Sequence, residues 1–126
     1  MTDMFLYKIR TNEEKLSTGT WEICGYWSNI SPIRRFFHDN VIKGGNPHAF
    51  YIVEEEVLDR LKLLCFIILM NQESEVQIDV ANALLPLDIH CGGQIDAQYF
   101  AELERTHSML QDVFEEDVLF VYREHS

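Results

Sequence analysis

The chain has 126 residues, 47% of them hydrophobic, with a formal net charge of −11 at pH 7, which fits one globular domain over residues 1–126 and excludes a disordered chain. The charge is unevenly divided: the first 63 residues carry 8 Lys+Arg against 9 Asp+Glu, and the last 63 carry 2 against 12. Such a molecule repels bare nucleic acid and anionic membrane and is drawn to basic protein surfaces.

Residues 4–10 alternate as a strand, with Leu6, Lys8 and Arg10 on one face and Phe5, Tyr7 and Ile9 on the other. Residues 11–19 are polar and read as a loop. Residues 21–27 read as extended, although Gly25 weakens a strand interior. Ser28 or Ser31 can cap a first helix with Pro32 at its first position. Ile33, Phe36, Phe37 and Val41 recur there at helical spacing, and Gly44-Gly45 ends it, with Gly44 as a left-handed C′ residue.

Residues 49–53 form a short strand. Glu54, Glu55 and Glu56 open a long helix to Met70, placing acids at the positive end of its dipole. From Leu63 onward this helix is apolar all round, which predicts burial on nearly every side. Ser74 can cap a third helix over residues 75–85, stopped by Pro86. Residues 87–95 read as a loop. Asp96 can cap a fourth helix to about Glu116, and residues 117–123 form a last strand rich in β-formers. The expected architecture is α+β: about four helices packed on a small, mainly antiparallel sheet that includes the N- and C-terminal strands. A spare apolar face could pair two copies.

The N-terminus opens on an acid and predicts no signal peptide. The longest apolar run, residues 63–70, falls far short of the roughly 20 residues that span a bilayer. Cys24, Cys65 and Cys91 are widely spaced and odd in number, which fits a reducing compartment. A cytoplasmic location is expected, without membrane or direct nucleic-acid contact.

Gly25-Tyr26-Trp27, Ile33, Phe36-Phe37, Asn40-Val41, Gly44-Gly45, Tyr51-Ile52-Val53 and the Leu58/Leu61 helix resemble a family of small phage and prophage proteins. Leu84-Leu85-Pro86, Gly92-Gly93 and Tyr99-Phe100 with Leu103 resemble its second half, so the similarity covers roughly residues 25–114. It implies a phage genomic setting, hence the host cytoplasm, and supplies no catalytic residues. The chain departs from the family in Ser28-Asn29, where basic residues are common.

Four clusters could carry function. Asp96, Glu102, Glu104, Asp112, Glu115, Glu116 and Asp117 along the fourth helix could imitate spaced phosphates and dock on a basic protein surface; an ordinary solvated face is the plainer account. His90-Cys91 lacks the further ligands a metal needs, unless Cys24 and His48 arrive by folding, and no base or oxyanion site accompanies the thiol. Cys65 reads as an inert core thiol. Arg34, Arg35 and His38, with Lys43 beyond, could hold an anionic ligand, against a plain i, i+4 salt bridge between Arg35 and Asp39. The aromatic group Trp21, Tyr26, Trp27, Phe36 and Phe37 could anchor a partner through Trp27 or simply be core. No constellation specifies a reaction, cofactor or metal. The reading is a non-enzymatic acidic binding module, of phage or prophage type, that inhibits a host nucleic-acid-processing or defence protein. The alternatives are a small-ligand domain or enzyme built on Arg34 and His38, and an oligomeric structural accessory.

Overall fold

In the computed structural model, residues 2–11, 21–28, 32–71, 74–87 and 94–125 are described. The elements run β1 (Asp3–Arg10), β2 (Glu22–Ser28), α1 (Pro32–Phe37), a π-helical turn (His38–Ile42), β3 (Tyr51–Val53), α2 (Glu55–Met70), α3 (Gln77–Leu84), α4 (Ala97–Asp112) and β4 (Val118–His125). The four strands form one antiparallel sheet in the order β2-β1-β4-β3. The fold is therefore the expected α+β arrangement, with β1 and β4 side by side at the sheet centre.

Alternation along β1 decides how the sheet is used, because successive side chains point to opposite faces. Met4, Leu6 and Lys8 lie opposite Glu124, Tyr122 and Phe120 of β4. This face packs on the helices through Met4, Leu6, Trp27, Phe37, Leu58, Leu61, Leu103 and Tyr122. Phe5, Tyr7 and Ile9 lie opposite Arg123, Val121 and Leu119 on the second face, and none of these six belongs to the helix-covered core.

Gly25 sits inside β2 for a packing reason. A Cβ there would stand 2.8 Å from Trp27 Cη2 and 3.0 Å from Met109 Cε, so only glycine lets α4 and Trp27 close over the strand. A bulge shifts the β1–β2 register between Leu6 and Tyr7.

Several sequence expectations need correction. The left-handed residues after the first helix begin one position early, with Lys43 at φ 50° and Gly44 at φ 83°; the Lys43 N–H reaches back to the His38 carbonyl at 2.9 Å, the wide i→i−5 closure of a π turn. Ser28 belongs to β2, and Ser31 lies outside the described residues. Helix α2 is not buried all round at its end: Leu63, Phe66 and Met70 are about half or more exposed, while Leu61, Cys65 and Ile68 are fully buried. The buried stripe of α2 packs against α4 and α3, and Phe66, though half exposed, stacks on His107 of α4. Helix α3 starts at Gln77; the Ser74 hydroxyl instead accepts from the Val76 N–H in the preceding turn. Asp96 does cap α4, accepting from the Tyr99 N–H at 3.1 Å. That helix ends at Asp112, not at Glu116: Val113 is its buried C-cap, and Asp117 takes a left-handed φ of 57° before β4 begins.

Candidate functional site

The early end of α4 rearranges the acidic residues. Glu102, Glu104 and Asp112 stay on the helix, whereas Glu115, Glu116 and Asp117 lie in the connection to β4. The seven acids therefore do not lie along one helix, and a single helix does not set their spacing. Two of the acids are also engaged within the molecule. Glu102 accepts from Arg105 at 2.9 Å, and Glu115 accepts from Lys8 Nζ at 2.8 Å and from Arg10 at 3.3 Å. Lys8 is only 5% exposed, and its ammonium, hydrogen-bonded to Glu115, holds that carboxyl below the usual carboxylate range.

What replaces a helical row is a cluster. Glu55, from the start of α2, and Glu115, Glu116 and Asp117 line one open depression of about 530 Å³, floored by Phe114 and Val118. No described cation lies within ion-pair distance of Glu55, Glu116 or Asp117. Glu55 comes from the half of the chain that looked neutral by count. The positive end of α2 meets these acids, which lowers the cost of gathering them. Among the described residues no group of three or more His, Cys, Asp or Glu could hold a metal ion.

Arg34 and His38 converge, as one turn of helix allows, but on a residue the sequence did not single out. Glu124 of β4 is 1% exposed. Its carboxylate accepts from Arg34 Nε at 3.2 Å and from the Tyr122 hydroxyl at 2.9 Å, and pairs with His38 Nε2. Burial first, and Glu124 second, push the Tyr122 phenol up. The group ties α1 and the following turn to the sheet centre, and with three partners the buried acid is satisfied. Arg35 does not join it: it pairs with Asp39 at 3.8 Å and donates to the Leu87 carbonyl at 2.9 Å. Lys43 is exposed beyond the π turn. An anion approaching Arg34 and His38 would compete with a carboxylate already in place.

Trp27 has no exposed surface; its indole N–H donates to Thr106 Oγ1 at 2.8 Å and its ring packs on Phe37. It is core, not a partner anchor, because the strand's alternation turns it toward α4. Phe36 and Phe37 are core too. Trp21 and Tyr26 belong instead to the second sheet face. Burial pushes the Cys24 thiol up to about 11 and the Cys65 thiol to about 12, far from a reactive thiolate. His48 is exposed, on a turn; His90 and Cys91 lie outside the described residues. No described helix is long and apolar enough to cross a membrane.

Sequence reasoning missed Glu124, Tyr122 and Glu55. Glu124 alone left a signal: its place in the alternation of β4 puts it on the same face as Phe120 and Tyr122. No family model, no curated protein and no solved structure matches this chain.

Proposed function

We propose that this chain is a non-enzymatic binding module that docks on a basic protein surface through the acidic depression. In the phage or prophage setting that its sequence resembles, the partner would be a host nucleic-acid-processing or defence protein held inactive. One observation carries the reading: Glu55, Glu116 and Asp117, from two separate segments, line one depression and none is ion-paired to a described cation, although Lys8 and Arg10 hold Glu115 at its edge and Lys62 lies 5.4 Å from the Phe114 ring. Carboxylates gathered and left unneutralised focus a negative potential that steers basic partners and fixes their register. Glu102 and Glu115, already hydrogen-bonded within the molecule, play a supporting part; Glu104 and Asp112 extend the negative surface along α4.

The test is capture from host lysate by the wild type and by a variant carrying Glu55→Lys, Glu116→Lys and Asp117→Asn. Asparagine suits the left-handed φ at 117, which lysine tolerates poorly. The expected prey is retained by the wild type, lost with the variant, and lost as salt shrinks the screening length from about 10 Å at 0.1 M to about 3 Å at 1 M. Prey held equally by both proteins, or held unchanged at high salt, refutes the proposal.

A further inference from the structure

We infer that the second face of the sheet, which no described helix covers and where Ile9 and Val121 are buried while its aromatic rim is exposed, is where two copies of this chain meet. This rests on the second face described above and is independent of the acidic depression, which lies on the helix-bearing side beside Lys8 and Arg10.

A chain of ring contacts crosses that face. Tyr26 meets Phe5 at 5.4 Å, Phe5 meets Tyr7 at 6.1 Å, Tyr7 meets Trp21 at 5.7 Å, and Trp21 meets Phe50 edge-on at 5.5 Å. The Arg123 guanidinium closes the chain, 4.4 Å above the Phe50 ring. Side chains that hold one another in this way are already ordered before any partner arrives, so little rotamer entropy remains to be lost on binding.

The face is large enough. Ile23, Tyr26, Phe50, Ile52 and Leu119 are 40 to 65% exposed. At about 200 Å² for a whole large side chain, they present about 500 Å² of apolar surface. That is near the top of the range for the largest patch on a monomer. Two copies would remove about 1,000 Å² before Phe5, Tyr7 and Trp21 add their share, which reaches the threshold of a specific interface.

Charge selects the occupant. Within the ring chain the only charged side chain is Arg123, stacked on its own Phe50, and Asp3 at the strand end accepts from the Tyr26 hydroxyl at 2.8 Å. A nucleic acid needs a cationic track beside its stacking platform, and one arginine in a chain of net charge −11 does not supply it. Asp3, the acid at the end of this face, is already engaged by Tyr26, so it offers a basic partner little. A second copy fits, because a twofold interface must be complementary to itself, and an apolar face is. Sheets stacked in this way lie about 10 Å apart, with strands about 30° from parallel.

Sedimentation velocity on the full chain from ~1 to ~200 μM tests this. The wild type is expected to reach twice its 14.8 kDa. Ile23→Lys with Ile52→Lys should weaken the dimer at least about 30-fold. Each lysine makes the chain less negative, so a weaker dimer cannot come from greater net-charge repulsion between copies. Phe66→Lys, on the exposed side of α2, should leave the mass unchanged. Far-UV circular dichroism shows whether the variants fold; both substituted isoleucines are more than half exposed. A wild type that stays monomeric throughout, or a dimer that survives the double substitution, overturns the inference.

Discussion

Glu124→Gln is the sharpest test of how the sheet is tied to the first helix. The amide keeps the carboxylate's size but offers one acceptor oxygen where there were two. Arg34 Nε and the Tyr122 hydroxyl approach different oxygens, at 3.2 and 2.9 Å, and His38 shares the oxygen that Tyr122 uses. With its oxygen toward Arg34, the amide presents N–H groups to the hydroxyl and to the imidazole. One charge-assisted bond to Arg34 becomes neutral, and the Tyr122 donor is left buried without an acceptor. Charge-assisted bonds contribute about 1.5–3 kcal/mol each, and an orphaned buried donor costs about 1–3 kcal/mol. Arg34 and His38 are partly exposed, with side chains 22% and 34% accessible, so water offsets part of the loss. The expected destabilisation is about 3 kcal/mol, or roughly 10 °C in Tm for a chain of this size. Urea unfolding followed by the fluorescence of buried Trp27 measures it. A loss below about 1 kcal/mol with an unchanged m-value refutes the reasoning. A double-mutant cycle with Arg34→Gln should return a coupling of about 1 kcal/mol or more.

Gly25→Ala should cost about 1–3 kcal/mol in the same assay, because its Cβ would press on Trp27 and Met109 at 3.0 Å or less. The Glu115 carboxyl is held low in the folded state by Lys8, so its stabilisation is present above the unfolded carboxylate value, near 4.3. It is lost as pH falls through the lower folded value; Glu115→Gln should flatten the acid limb of a stability–pH curve measured by thermal melts. Cys24, pushed from 9.0 to about 11, should react with a disulfide reagent about a hundredfold more slowly than a free thiol at pH 8, and Cys65 more slowly still. Mass mapping after timed labelling reads both, and urea should abolish the protection.

The first and last strands were legible because period-two alternation in residues 4–10 and the run of β-formers in residues 118–122 are local signals. Helices α2 and α4 were legible from their apolar spacing and from Asp96. What the local pattern could not carry was which apolar stripe finds a neighbour. Leu63, Phe66 and Met70 have the hydropathy of core residues, yet they stay about half or more exposed, even though the Phe66 ring stacks on His107 of α4. Trp27 and Tyr26 are adjacent, and only the direction of the strand decides that one is buried and the other exposed. The aromatic chain joins Phe5, Trp21 and Phe50 from three segments, and the acidic depression joins Glu55 to Glu116. Both depend on tertiary placement that residue counts along the chain cannot express. The helix was expected to run on to Glu116 because Val113 and Phe114 continue its apolar spacing; the pull of Lys8 and Arg10 on Glu115, from 105 or more residues away, is invisible to helical periodicity.

The pairing at the sheet centre governs how this protein folds. Asp3 sits opposite His125, and Arg10 opposite Val118, so the innermost ladder joins the most distant parts of the sequence. Closing a loop of that length costs roughly 4 kcal/mol of chain entropy before its first contact returns anything. The helices between can form and collapse on local contacts well before then. The central ladder should therefore zip late, and refolding should be slower than the helix content suggests. Until it does, Tyr122 and Glu124 have no partners in β1, although the local β1–β2 hairpin can already set Met4 beside Trp27. Substitutions that weaken β1–β4 pairing should then slow refolding in proportion to the stability they remove, whereas changes within α2 should mainly speed unfolding.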